Sequence, residues 1–261
     1  MADVRLPEAQ FLAEAERLVA QAAQRGIPLR MCGSVGLYYH IRGDPLARVL
    51  YLRRSGGPDG EPRFKDLDLA SLEKKSSDIY KLFVRELGFR EDTETNSLFG
   101  MYRNIYYHPK FDIDVFYDTL RFSHEIPIKG RLPSGTTLTP EDLFLSKAQI
   151  HKATSRDWID LAAFSCAFPL EKLDRTYLTE LLGDDWGLWY DVDQNLRLAK
   201  EMLPQLRFNA DGDLATAAMR AEERLAQYRA FLASMPKTRR WEKRQAKGTS
   251  IPWYEEVDEV R

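Results

Sequence analysis

The stretch Arg63–Leu69, RFKDLDL, sets two acids, Asp66 and Asp68, one residue apart between Leu67 and Leu69. In an extended strand residues i and i+2 point to the same face. The two carboxylates therefore stand side by side, at a spacing where like charges repel. The run FDIDVF repeats the pattern: Asp112 and Asp114 share one strand face, and Phe111, Ile113 and Val115 take the other. Clustered carboxylates repel unless a cation sits among them. Hard divalent ions such as Mg2+ take carboxylate oxygens and let substrate phosphates complete the shell. Metals bridged by aspartates serve the movement of phosphoryl and nucleotidyl groups. A single such pair also suits the polar face of an amphipathic edge strand, which is the commoner meaning of so short a motif. Two pairs leave both readings open.

Upstream, Cys32-Gly33-Ser34-Val35-Gly36 ends one strand and opens a helix. Backbone N–H groups and a hydroxyl in that position suit a phosphate. A basic run, PKTRRWEKRQAK, places Arg239, Arg240, Lys243 and Arg244 around Trp241, which suits an RNA backbone and an unstacked base. A solvated, basic helix end is the alternative, because cations there also complement the helix dipole. His40, His108, His124 and His151 show no metal-ligand spacing and read as structural.

The elements that must position these residues follow from periodicity. Pro7–Arg25 has helical apolar spacing and stops at Gly26. A short strand is expected over Ile27–Cys32, then a helix in GSVGLYYHI. VLYLRR (Val49–Arg54) and RFKDLDLA read as strands, with SGGPDGEP as a turn between them. Ser77–Leu87 reads as a helix. Leu98–His108 and Lys110–Asp118 read as a hairpin joined at His108-Pro109, and FSHEIPI as a further strand. Thr139-Pro140-Glu141-Asp142 is a helix start, with Thr as N-cap, Pro in the first turn and acids beside it. Beyond it nearly everything is helical.

Composition narrows the classes. The chain has 261 residues, of which 44% are hydrophobic, and a net charge of −2, so it is an ordinary globular sequence and no overall polyanion binder. Its two cysteines, Cys32 and Cys166, form no CxxC pair, which argues against a disulfide scaffold or a zinc ribbon. With no apolar leader and no membrane-length window, the expectation is a soluble cytoplasmic protein without membrane partners.

A strand ending in Gly-Ser, a short helix, two acids alternating with apolar residues and a third Asp on a later strand together resemble the nucleotidyltransferase superfamily of the polymerase-beta type. RFKDLDL is similar to the R-h-T-x-D-h-D stretch (h, apolar) of AbiEii-type nucleotidyltransferase toxins, which include the mycobacterial MenT toxins. Lys147 in EDLFLSKAQIHKA, followed by RDWIDLAAF, is similar to that family's helical Lys followed by Arg and D-x-x-D-L. The resemblance covers roughly residues 30–165. It departs in two places: the stretch between Ser34 and Asp66 is long, and Lys65 stands where Thr is usual.

The change of character near residue 139 divides the chain into a mixed α and β part over residues 1–138 and an all-helical lobe over 139–261, an α+β fold in which the resemblance implies a nucleotidyltransferase-like mixed sheet with flanking helices in the first part. The resemblance implies that Gly33 and Ser34 hold the triphosphate, with Arg63 and Lys147 also on the nucleotide. Asp66, Asp68 and Asp114 would bind Mg2+ or Mn2+, with Asp112 as second choice for the third acid. Lys147 would neutralise phosphate charge, and Asp157 and Asp160 would orient it or the nucleophile. The implied activity moves an NMP from an NTP to an acceptor hydroxyl. The acceptor is expected to be RNA, at the tRNA 3′ end, in a toxin with a cognate antitoxin. Two alternatives stand beside it: an antibiotic-type small-molecule acceptor, and an inactive nucleotide-binding regulatory module. The retained Asp66, Asp68 and Asp114 speak against the inactive module, because a retired site has no reason to keep repelling charges.

Overall fold

The computed structural model describes residues 6–55, 62–208 and 212–256. The chain opens with β1 (Leu6–Pro7) and α1 (Glu8–Gln24), whose buried Phe11, Leu12, Ala15, Leu18, Val19 and Ala22 form one helical stripe. Then come β2 (Arg30–Met31), α2 (Gly33–Ile41) and α3 (Pro45–Ser55). Val49–Arg54, expected as a strand, is helical in α3. The Asp44 carboxylate accepts from the N–H groups of Leu46 and Ala47, and Pro45 starts the helix. Ala47, Leu50 and Tyr51 are buried at helical spacing, and Arg54 falls on the same stripe. The cap and the 3.6-residue period override the β-favouring side chains. The turn expected after it, 56–61, lies outside the described residues.

RFKDLDLA does not form one strand. β3 (Arg63–Phe64) pairs with β1, and only after Lys65 does β4 (Asp66–Ser71) join the main sheet. α4 (Ser76–Tyr80) runs on as a π-helical segment, Lys81–Glu86, and the chain turns at Gly88. β5 (Arg90–Glu91) leads into α5 (Thr93–Phe99), capped where the Asp92 carboxylate accepts from the Thr95 N–H at 2.9 Å. That cap makes Leu98 and Phe99 helical, so the hairpin is shorter than expected: β6 (Arg103–His108) and β7 (Phe111–Tyr117). β8 (Thr119–Arg121) and β9 (Glu125–Pro127) form a small ribbon of their own.

The main sheet is mixed, with strand order β2-β4-β7-β6-β5. β4 and β7 run parallel, with Asp66 opposite Asp112 and Asp68 opposite Asp114; the other neighbours are antiparallel. The fold is α+β, as expected. The second half is helical: α6 (Pro140–Ala148), α7 (Ser155–Ala167), α8 (Arg175–Asp184), α9 (Trp186–Phe208), α10 (Gly212–Ser234) and α11 (Arg239–Gln245). One hydrophobic cluster runs from Leu6 to Met235 through sheet and helices alike. No described helix is long and apolar enough to cross a membrane.

Thr139 caps α6 as its sequence suggests, accepting from the Asp142 N–H and donating to the Asp142 carboxylate at 2.9 Å. α6 carries Lys147. Thr139→Ala is expected to cost about 1 kcal/mol of stability, read as a lower midpoint in urea with an unchanged slope. A midpoint equal to wild type would show that tertiary packing alone holds this helix end.

Candidate active site

The register of β4 on β7 gathers four carboxylates on one sheet face. Asp66 is exposed, Asp68, Asp112 and Asp114 are half-buried, and Leu67, Leu69, Ile113 and Val115 are buried on the other face. The Asp68 carboxyl is pushed up to about 7, first by burial and then by the charges of Asp66 and Asp114. Burial also lifts Asp114 above the usual carboxylate range, even though Arg103 pulls the other way. Arg103 donates to both Asp114 oxygens, from Nε at 3.1 Å and Nη2 at 3.0 Å.

α2 begins directly against these acids. Gly33 has φ +56°, and a Cβ there would lie 1.9 Å from Oδ2 of Asp68. Only glycine fits, on grounds of both conformation and space. The next residue, Ser34, receives two cations: Arg54 Nη2 donates to its Oγ at 2.8 Å and Lys147 Nζ at 3.1 Å. A hydroxyl oxygen has two acceptor lone pairs. With both taken, the Ser34 proton is left to serve as a donor, beside the first N–H groups of α2, which have no partner within the helix.

Both cations lean on Asp160, which is fully buried on α7. Lys147 Nζ lies 3.1 Å from Asp160 and 3.5 Å from Asp157, and Arg54 Nε lies 3.0 and 3.2 Å from the two Asp160 oxygens. Burial pulls the Lys147 ammonium down, but Asp160 and Asp157 more than offset it and hold it above its ordinary value. Burial likewise disfavours charge on Asp157, yet Lys147 and hydrogen bonds from Thr154 keep its carboxyl below the usual range. Asp157 also closes a capping box with Thr154 at the start of α7.

The structure thus brings together Gly33, Ser34, Asp66, Asp68, Asp114, Lys147, Asp157 and Asp160. Arg63 stands apart from the main sheet, on the β1–β3 ribbon. The basic run stands apart as well. Arg239, Arg240, Lys243 and Arg244 lie on α11, where Arg240 pairs with Asp184 at 2.8 Å and Arg244 donates to the carbonyls of Gly248, Ile251 and Pro252. Trp241, expected to meet an unstacked base, is instead buried edge-on against Trp189. Its position on the inner side of a short capped helix decides this. Lys243 and Lys247 remain exposed at a cavity of about 790 Å³ between α11 and the chain's tail.

Two cations were not anticipated. Arg54 could have been found from the Asp44-Pro45 cap and the spacing Ala47, Leu50, Tyr51, Arg54. Arg103 carries no local signal; only the pairing of Ile105 with Asp114 brings it diagonally within reach.

Among the described residues no group of three or more His, Cys, Asp or Glu side chains is arranged to hold a metal ion. Mg2+ commonly needs only one or two carboxylates, with water and substrate phosphates completing its shell. Asp66 and Asp68, oxygen donors on the strand that meets Gly33, beside the Ser34 hydroxyl held by Arg54 and Lys147, fit that demand.

No family model and no curated protein matches this chain. Among solved structures, the crystal structure of an antigenic nucleotidyltransferase-like protein from Paracoccidioides brasiliensis aligns with a TM-score of 0.35 and 14% identity, covering 90% of this chain and 97% of that one. Likeness at that level assigns neither activity nor substrate.

The raised Asp68 carboxyl has a consequence for stability in metal-free protein. Above pH of about 4 the unfolded chain ionises this group, while the folded chain keeps its proton up to about pH 7. The folded state then holds the extra proton, so stability falls as pH rises through that window. In chelator, wild type is expected to lose melting temperature relative to Asp68→Asn across it, the gap levelling off above its upper edge. Parallel melting curves for the two proteins would show that Asp68 titrates normally.

Proposed function

We propose that the chain is a metal-dependent nucleotidyltransferase that moves an NMP from an NTP to an acceptor hydroxyl, with RNA, at a tRNA 3′ end, as acceptor, and that it acts as the toxin of a toxin–antitoxin pair. One observation carries the catalytic part: register-paired acids lie against Gly33, and the adjoining Ser34 hydroxyl is loaded by Arg54 and Lys147. Acids for a cation and cations for a phosphate, in contact through one glycine, suit a triphosphate held by both.

In this reading Ser34 and the start of α2 donate to the β- and γ-phosphates, and Lys147 and Arg54 neutralise them. Asp160 keeps those two cations in place when no substrate is bound. Asp66 and Asp68, with Asp114 as the third acid, would hold a divalent ion, whose charge would steady the triphosphate and acidify the attacking hydroxyl. The acceptor oxygen bonds to the α-phosphorus, the bond to the bridging oxygen breaks, and pyrophosphate leaves with the electron pair. The hydroxyl proton has a carboxylate acceptor nearby on the same face in Asp112.

Pyrophosphate release from each NTP in Mg2+, with and without tRNA, measures the activity. The double variant Asp66→Asn with Asp68→Asn is expected to abolish release while its melting temperature stays level or rises, because mutual repulsion is removed. A large fall in melting temperature with activity intact would make the acids a stability element and end the metal-site reading.

The acceptor is tested with labelled NTPs and total RNA on a gel. Label is expected in a tRNA-sized band. If Lys243 and Lys247 contact phosphates, replacing both with alanine should reduce the salt dependence of RNA binding by roughly one unit of slope per lost contact. Label appearing only in small molecules would favour an antibiotic-type acceptor, and an unchanged slope would return this stretch to a solvated helix end.

A further inference from the structure

Arg103 sits on the acid face, and the proposed chemistry leaves it without a task. It opens β6 and pairs in register with Phe116, while Ile105 pairs with Asp114. Arg103 therefore reaches Asp114 diagonally, across the sheet. Its guanidinium lies over the Phe116 ring at 5.5 Å, a shelf that fixes the plane of the fork. From there Nε and Nη2 meet Asp114 Oδ1 and Oδ2 at 3.1 and 3.0 Å. Both partners are partly shielded from water, with side-chain exposures of 27% for Arg103 and 19% for Asp114, so solvent screens the pair only in part.

This pairing has a cost for any cation that wants Asp114. A carboxylate keeps further lone pairs when a guanidinium takes one on each oxygen. A divalent ion using those lone pairs would stand within a few ångströms of a like charge. The two cations therefore repel one another at this carboxylate, whereas among the described residues no guanidinium or ammonium pairs directly with Asp66 or Asp68.

We propose that Arg103 is an internal counter-cation that competes with the divalent ion for Asp114, so that the third carboxylate joins Asp66 and Asp68 only when the guanidinium leaves it. Arg103 is a positioning residue in this scheme. It satisfies Asp114 in the metal-free protein and sets how tightly the acid face binds metal. The proposal rests on the reading of Asp66, Asp68 and Asp114 as metal acids and goes beyond it by naming what holds the third acid back.

The test is a calorimetric titration of the full chain with Mn2+, without nucleotide, for wild type, Arg103→Gln and Arg103→Lys, each also in an Asp114→Asn background. Arg103→Gln is expected to bind Mn2+ roughly tenfold more tightly than wild type, the scale of one lost charge-assisted pair. Arg103→Lys keeps the charge but loses the planar fork, and should gain a smaller part of that tightening. In the Asp114→Asn background neither change should add anything, because the shared partner is gone. Melting in chelator adds a second readout: Arg103→Gln should melt lower than wild type and recover more on adding Mn2+. If Arg103→Gln folds poorly, Arg103→Lys carries the comparison. Unchanged or weaker Mn2+ binding in the Arg103 variants, beside clear binding by wild type, overturns the competition and leaves the metal site standing. A gain that persists without Asp114 also overturns it, as a field effect acting elsewhere. Failure of every protein to bind Mn2+ removes the metal reading and this proposal together.

Discussion

The parallel pairing of β4 with β7 is the constraint on which the rest of the site depends. Side chains alternate across a strand, so a slip of one residue would send every acid into the core and every apolar side chain into water. Leu67, Leu69, Ile113 and Val115 are fully buried in the observed register. Exposing all of them would cost on the order of 6–12 kcal/mol, comparable to the whole stability of a typical domain. The hydrophobic face thereby enforces a polar face that is unfavourable in itself. Four carboxyl side chains are held together because their neighbours cannot move.

Charge is then balanced by two different means on the two sides of Gly33. On the cation side, Asp160 supplies a fixed anion for Arg54 and Lys147, so both cations stay charged despite burial. On the acid side, Arg103 satisfies Asp114, and burial with repulsion leaves Asp68 holding a proton near neutrality. The charges of this cluster are placed and compensated within the fold itself, which is the physical condition for pre-organisation. Gly33 is the hinge between the halves. A side chain there would collide with the Asp68 carboxylate, separating acids from cations by the width of a methyl group.

The helical half supports this arrangement from behind. α3 packs against α7, which brings Arg54 to Asp160, and the capping box of Thr154 and Asp157 sets the start of α7 so that Asp157 and Asp160 share one face toward Lys147. Aromatic packing of Trp241 on Trp189 uses the indole that the basic run by itself offers to nucleic acid. The basic side chains left exposed there, Arg239, Arg240, Lys243 and Lys247, offer charge that suits a phosphate backbone.

What the sequence determined by itself was local: the strand faces carrying Asp66, Asp68, Asp112 and Asp114, the cap at Thr139, the stripe of α1 and the Gly33-Ser34 turn. Each is written in spacing over a few residues, where steric and hydrogen-bonding preferences act between near neighbours. What only the tertiary structure decided was partnership at a distance. Val49–Arg54 shows why: its residue types favour a strand, and the cap at Asp44 with the packing of Ala47, Leu50 and Tyr51 made it a helix that delivers Arg54 to Ser34. Arg103 meets Asp114 only because β6 pairs with β7 in one register. Such contacts depend on how whole elements bury their apolar faces against one another, a sum over many side chains that no short motif contains.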